Sequence, residues 1–198
     1  MEVRKLIIFA KQPRFGQVKT RLAKSIGDTH ALEVYQTLLS LTGSITKNLN
    51  AQKIVYWDEI PLTPNSCFKE EFQNMEQTTG DLGKKMEVAF QTEFDQSNCK
   101  TLIIGTDCPY LTDKIFEDAY LALDHSDFVI GPATDGGYYL LGMKKFNPIV
   151  FQNIHWSTET VLSETIRKII ENHFTYTLIQ ELNDIDTEND WLEWQQMN

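Results

Sequence analysis

Four segments of the chain combine residue types that could bind or transform a charged small molecule. The first is Lys11-Gln12-Pro13-Arg14-Phe15-Gly16-Gln17-Val18-Lys19-Thr20-Arg21, in which Lys11, Arg14, Lys19 and Arg21 surround a proline and a glycine directly after an apolar run. Lysine meets phosphate as a point charge, and arginine offers a planar two-pronged fork. Gly16 can adopt a backbone conformation that lets main-chain amides approach an anion. A helix beginning near Val18 would add the positive end of its dipole. A merely solvated basic loop is the alternative, but the clustering runs against the rest of the chain. The formal net charge is −10, yet no acidic residue falls between Val3 and Gly27, where Arg4, Lys5 and Lys24 join the four cations already named. Such a concentration suits a small anionic ligand better than a polymer. Neither G-x-x-x-x-G-K-[ST] nor G-x-G-x-x-G occurs, so the loop is neither a Walker loop nor a dinucleotide fingerprint.

The second segment, Gly105-Thr106-Asp107-Cys108-Pro109, ends a buried apolar run on an aspartate. Carboxylate oxygens suit Mg²⁺ or Mn²⁺, which would neutralise a diphosphate leaving group. Asp107 could instead cap the next helix, although Thr112 or Asp113 is better placed for that. Cys108 has no histidine near in sequence and reads as a small buried hydrophobe rather than a nucleophile. In the third, Gly131-Pro132-Ala133-Thr134-Asp135-Gly136-Gly137-Tyr138-Tyr139, two readings stand level. Asp-Gly before an aromatic-rich strand is a hairpin signal, while the paired glycines could leave room for a sugar or base with Asp135 accepting hydroxyl hydrogen bonds. In the fourth, Asp184-Ile185-Asp186-Thr187 with Asp190 beyond, two aspartates two apart on an extended segment point the same way and could share a metal. Helix capping and solvation would explain the same acids equally well.

Other chemistries lack their signatures. The four histidines are scattered, C-x-x-C, H-E-x-x-H and G-x-S-x-G are absent, and the three cysteines (Cys67, Cys99, Cys108) have no paired spacing, as expected of reduced cytoplasmic thiols. The apolar run before Lys11 is too short for a signal peptide, and no stretch approaches the ~20 apolar residues of a membrane span. The acidic balance argues against nucleic acid and anionic membranes as partners.

The elements that must position these residues follow a βα rhythm. The 198-residue chain, 41% hydrophobic, is expected to form one domain over residues 1–198. Strands are predicted at Val3–Ala10, Lys53–Trp57, Thr101–Gly105, Phe128–Ile130, Tyr138–Met143 and Thr175–Ile179. Helices are predicted at Thr29–Lys47, Asp81–Phe94, Asp113–Leu123 and Glu159–Asn172, the last capped by Ser157 or Thr158, with a short helix ending the chain. A Pro/Asn/Ser loop is predicted from Ile60 to Ser66. In an open α/β sheet, ligands bind beyond the C-terminal ends of the strands, which points to the loops after Ala10, Gly105 and Ile130.

Six segments together resemble the nucleotide-diphospho-sugar transferase family, in particular small bacterial members assigned as glycosyltransferases. They are LIIFAKQPRFGQVKTRL from Leu6, TGDLGKKM from Thr79, IGTDCPYL from Ile104, VIGPATDGGYYLLG from Val129, HWST from His155 and LNDIDT from Leu182. In plan the chain is also similar to molybdenum-cofactor and phospholactate guanylyltransferases. The resemblance implies a three-layer α/β/α sandwich of GT-A type with a mixed, mainly parallel sheet. It further implies that Lys11, Arg14, Lys19 and Arg21 line donor phosphates, that Asp107 ligates a metal, and that Asp184 and Asp186 complete the metal site. Lys85 stands where such sequences often carry arginine, which removes a bidentate contact.

These readings converge on a Mg²⁺- or Mn²⁺-dependent transferase using a nucleotide-activated donor, with Lys19, Asp107 and Asp135 as the catalytic candidates. Glycosyl transfer from a nucleotide sugar to a small acceptor is the first expectation, with the Asp135–Gly137 segment and His155-Trp156 shaping the sugar or acceptor pocket. Nucleotidyl transfer to a small phosphorylated acceptor is the near alternative, and a non-catalytic nucleotide-binding regulatory domain is the third.

Overall fold

The computed structural model describes residues 3–62 and 65–197, so Thr63 and Pro64 of the predicted 60–66 loop lie outside the described residues. Seven strands form one sheet in the order β3-β2-β1-β4-β6-β5-β7. They are β1 (Arg4–Ala10), β2 (Gln52–Trp57), β3 (Phe72–Glu76), β4 (Lys100–Ile104), β5 (Phe128–Pro132), β6 (Tyr138–Met143) and β7 (Tyr176–Leu178). The helices are α1 (Thr20–Thr46), α2 (Leu82–Gln96), α3 (Asp113–His125), α4 (Val161–Glu171) and α5 (Glu188–Met197), with a 3₁₀ turn at Pro148–Phe151.

The sheet is mixed and mainly parallel, as expected. β1 pairs in parallel with β2 and β4, β2 with β3, and β5 with β7, while β6 runs antiparallel between β4 and β5. Every strand except β6 therefore points its C-terminal end to the same edge. Both faces are covered, which is why the central strands read as unbroken apolar runs rather than alternating ones. On one face Leu6, Ile8, Leu102 and Ile104 pack against Tyr35 and Leu39 of α1 and Phe116 and Tyr120 of α3. On the other, Ile7, Ile54 and Ile103 meet Met86, Phe90 and Phe94 of α2 and Ile169 of α4. Each such side chain removed from water contributes roughly 1.5–3 kcal/mol, which fixes the three layers. A third cluster joins Leu22, Val34 and Leu38 of α1 to Ile185 and to Trp191 and Trp194 of α5, tying the C-terminal segment onto the first helix.

Several elements depart from expectation. β3 is an edge strand whose Gln73, Asn74 and Glu76 are exposed, so it lacks the apolar signal of its neighbours. α1 begins at Thr20, close to the helix start expected near Val18, and continues across a break at Gly27 (φ 82°, ψ 158°), a conformation that glycine adopts without strain, into the helix predicted from Thr29. α4 starts at Val161, and neither Ser157 nor Thr158 caps it. The Thr158 hydroxyl instead donates to the His155 carbonyl at 2.7 Å. The cations of β1 do not join the basic loop. Lys5 is buried and donates to the Glu93 carbonyl and carboxylate at 2.6 and 2.9 Å, while Arg4 pairs with Glu117 at 2.9 Å. Among the described residues, no helix is long and apolar enough to cross a membrane.

Candidate functional site

The C-terminal edge of the sheet opens into a cleft of about 690 Å³. Three loops feed it directly: Lys11 follows β1, Asp107 follows β4 and Asp135 follows β5. The fourth contribution is the chain after β7. Leu182 pairs with Ala133 in a parallel bridge, Ile185 N–H donates to the Asp107 carbonyl at 2.9 Å, and Asp184 and Asp186 thereby enter the cleft. The late acids divide their work. Asp190 accepts from the Thr187 amide at 2.7 Å while the Thr187 hydroxyl accepts from the Asp190 amide at 3.3 Å, a capping box for α5. Asp184 and Asp186 are left to the site.

Lys19 is the hub. Its backbone sits in the left-handed region (φ 47°, ψ 43°), uncommon for a residue with a side chain and of a kind that clusters at functional sites. Only 5% of its side chain is exposed. Its Nζ lies 2.8 Å from Asp107 Oδ1 and 3.4 Å from Asp186 Oδ1, and it donates to the Ile185 carbonyl at 2.6 Å. Burial works against the charge, but Asp107, then Asp186 and Asp184, outweigh it and hold the ammonium above its ordinary pKa. Arg21 reaches Asp186 Oδ2 at 3.2 Å from an exposed position, so both Asp186 oxygens are engaged by cations. Lys11 is exposed at the rim, its backbone clamped by Tyr35, whose hydroxyl accepts from the Lys11 amide at 2.7 Å and donates to its carbonyl at 2.9 Å.

Asp184 differs from the other acids. Its Oδ1 is buried without a hydrogen-bond partner. Burial first, then the charge of Asp107, pushes its carboxyl up to about 7, against the opposing pull of Lys19. A buried acceptor left unsatisfied costs roughly 1–3 kcal/mol, so in a native fold it calls for an explanation. The donor set suits a hard divalent cation, since carboxylates of Asp107 and Asp184 line one cleft and Asp184 Oδ1 is an acceptor without a partner. Among the described residues, no three acidic, histidine or cysteine side chains are grouped closely enough to hold an ion, and the Lys19 ammonium lies between Asp107 and Asp186.

Arg14, Gly16, Gly136 and His155 do not line the cleft. Arg14 pairs with Asp58 at 2.9 Å and Glu59 at 2.6 Å and staples the loop to the end of β2. Gly16 turns the loop at φ 69° and faces Asp28. The Asp135 segment is the turn of a true hairpin, with Asp135 Oδ1 accepting from the Gly137 amide at 2.8 Å, and Asp135 also lines the cleft. At Gly136 (φ 88°) the missing side chain makes room for neighbouring backbone, since a Cβ there would collide with the Glu159 carbonyl, whereas Gly137 lines the cleft. Gly83 plays a similar part, since its missing side chain lets the Trp156 indole rest on the first turn of α2. Glu164 binds the His155 amide at 2.8 Å and its ring Nδ1 at 2.9 Å, fixing the 155–160 loop as a cleft wall. Cys108 is buried, with its thiol pushed up by burial and by Asp184.

Sequence reasoning missed Tyr35, Gln77 and Glu159 as lining residues. Gln77 follows a strand with no apolar signature, and Glu159 reads as an ordinary first-turn acid.

An α/β/α sandwich whose phosphate-type cations and carboxylates meet at the C-terminal edge of the sheet is the nucleotide-diphospho-sugar transferase fold, and solved structures of the same shape agree. Residues 30–158 match a family described as an uncharacterized protein conserved in bacteria (DUF2064), and the chain belongs to that family. No curated protein matches its sequence. A protein of Desulfovibrio desulfuricans G20, provisionally named a nucleotide-diphospho-sugar transferase, superposes with a TM-score of 0.90 at 28% identity, covering 100% of this chain and 88% of that one. The 2-C-methyl-D-erythritol 4-phosphate cytidylyltransferase of Thermus thermophilus has a TM-score of 0.57 at 13% identity over 100% of this chain and 98% of that one. Rv0371c of Mycobacterium tuberculosis H37Rv, solved with manganese, has a TM-score of 0.57 at 10% identity over the whole of both chains. The last two share the fold.

Proposed function

We propose that the protein is a transferase that takes a nucleotide-activated donor into this cleft, and that the donor is a nucleotide sugar whose glycosyl group passes to a small acceptor. The observation that carries the reading is the meeting of Lys11, Lys19 and Arg21 with Asp107, Asp184 and Asp186 around one buried, unpartnered carboxylate oxygen. The likeness to the Desulfovibrio protein over the whole chain supports it.

Lys11, Lys19 and Arg21 would bind the donor diphosphate, with Asp186 holding the last two in position. Asp107 and Asp184 would hold a Mg²⁺ or Mn²⁺ ion, which when bound offsets charge on the departing phosphate. In the transfer, the acceptor oxygen bonds to the anomeric carbon as the bond from that carbon to the diphosphate oxygen breaks. The electron pair leaves with the nucleoside diphosphate, and the acceptor proton passes to Asp135 through its free Oδ2. Most of the acceleration comes from positioning and preorganised charge, so no side-chain nucleophile is required.

The same cations would grip a nucleoside triphosphate, and the products tell the two chemistries apart. The protein is to be incubated with Mg²⁺, a panel of free and phosphorylated small acceptors, and nucleotide sugars or nucleoside triphosphates in separate reactions. A nucleoside diphosphate together with a glycosylated acceptor, from nucleotide sugars, is the expected product. Pyrophosphate would establish nucleotidyl transfer instead, and binding without any product would leave a regulatory domain.

A further inference from the structure

We propose, on the strength of the donor reading above, that the cleft wall built from residues 135–137 and 156–159 receives an uncharged, hydroxylated acceptor and rejects phosphorylated ones, with Glu159 setting this preference. The charged side chains on this wall are Asp135 and Glu159. Both are exposed, and neither has an ion-pair partner among the described residues. Their proximity is built into the backbone. Gly136 has no Cβ to hold the Glu159 main chain away, and the Leu162 amide donates to the Gly136 carbonyl at 2.9 Å, so the two acids stand on chain segments in direct contact. The rest of the wall is Trp156, Ser157 and Thr158, an indole and two hydroxyls.

Lys11, Lys19 and Arg21 line the β1–α1 side of the cleft, and Lys85 lines it from α2, whose first turn carries the Trp156 indole. Lys19 and Arg21 are already engaged by Asp107 and Asp186. The β1–α1 cations are thus arranged for phosphate, while the 135–137 and 156–159 wall offers two carboxylates without ion-pair partners beside an aromatic surface. Carboxylates accept hydrogen bonds from hydroxyls, which suits a polyol or sugar, whereas a phosphate monoester carries a charge of about −1.5 to −2 at neutral pH and would meet like charge. That Asp184 leaves a buried oxygen unsatisfied deeper in the same cleft marks it as a place built to take up ligand.

The test uses two readouts on the whole chain. In the first, nucleotide sugars and Mg²⁺ are supplied with matched acceptors, each a free polyol or sugar and its phosphate monoester, and products are read by mass spectrometry. The parent should favour the free member of each pair by about tenfold or more, and Glu159→Lys should narrow or invert that preference. Glu159→Gln, which keeps size and backbone, should move it part of the way. Equal or better use of the phosphate esters by the parent, or a preference unchanged in Glu159→Lys, overturns the proposal while leaving donor turnover, and so the functional reading, intact. The second readout needs no donor turnover: inorganic phosphate is titrated while backbone amide shifts are followed by NMR. Movement is expected for residues 11–21 and absent for 135–137 and 156–159. Movement of the latter set in the parent overturns the acceptor proposal, whereas immobility of residues 11–21 overturns only the donor reading.

Discussion

Asp184→Asn should make the metal-free protein more stable at pH 8. The Asp184 carboxyl is raised from 3.8 to about 7, by burial and then by the charge of Asp107. Between those values the folded state holds the proton more tightly than the unfolded state. Stability therefore falls as pH rises through that window, and the loss is complete above about 7. The arithmetic is 7 − 3.8, about three units, which at about 1.4 kcal/mol per unit sets a ceiling on the order of 4 kcal/mol. Relaxation and water entry reduce such costs in real interiors, so a gain of about 1–3 kcal/mol is expected, read as a Tm increase of roughly 3–8 °C. Asparagine keeps the shape and removes only the charge. The assay is thermal and urea unfolding in chelator from pH 4 to pH 8: the parent should lose stability across the range and the variant should stay nearly flat. Adding Mn²⁺ and a nucleotide should then stabilise the parent more than the variant, because binding to the folded state raises its stability by mass action. A variant no more stable than the parent at pH 8, or a parent curve that is flat, would refute the reasoning.

Gly136→Ala should destabilise by about 2–4 kcal/mol, from a left-handed backbone and a clash with the Glu159 carbonyl, checked by urea unfolding. Arg21→Ala should leave unfolding within about 0.5 kcal/mol of the parent yet weaken nucleotide binding in a calorimetric titration, since its side chain is 70% exposed. Glu93→Ala should cost about 3–5 kcal/mol by leaving Lys5 charged and buried without a counter-charge, again read by unfolding. Glu164, held down to about 2 chiefly by the His155 amide and ring, contributes stability that is complete above 4.5 and lost as pH falls toward 2. An acid titration of Glu164→Gln should lack that component.

The layers of the fold were legible because buried strands are written as apolar runs: Leu6–Ala10, Thr101–Ile104 and Phe128–Ile130 each announce a central strand. β3 was not, since an edge strand with Gln73, Asn74 and Glu76 in water has no such pattern. Lys11, Asp107 and Asp135 follow strand-like runs and could be assigned to one edge of the sheet. Asp184 and Asp186 reach the same place through the pairing of β7 with β5, the Ala133–Leu182 bridge and the Ile185 amide on Asp107, contacts between distant parts of the chain that local spacing does not encode. Arg14 misled because charge alone cannot say which partner a cation will find: Asp58 and Glu59 lie 44 and 45 residues away in sequence. The paired glycines stood level between two readings because a missing side chain makes room equally for a ligand or for neighbouring backbone, and at Gly136 it is the Glu159 backbone that takes the space.

The proposed activity stands or falls on whether this cleft binds a nucleotide-activated donor together with a divalent cation held by Asp107. The decisive experiment is ³¹P NMR of the parent and Asp107→Asn proteins incubated with a panel of nucleotide sugars, a panel of sugar and polyol acceptors, and Mg²⁺. Asparagine preserves size and capping ability while removing the charge a hard cation requires. The parent should release nucleoside diphosphate only with metal present, and the variant should release none. Release that is indifferent to metal or unchanged in Asp107→Asn would contradict the proposal, as would donor resonances unperturbed by the parent protein.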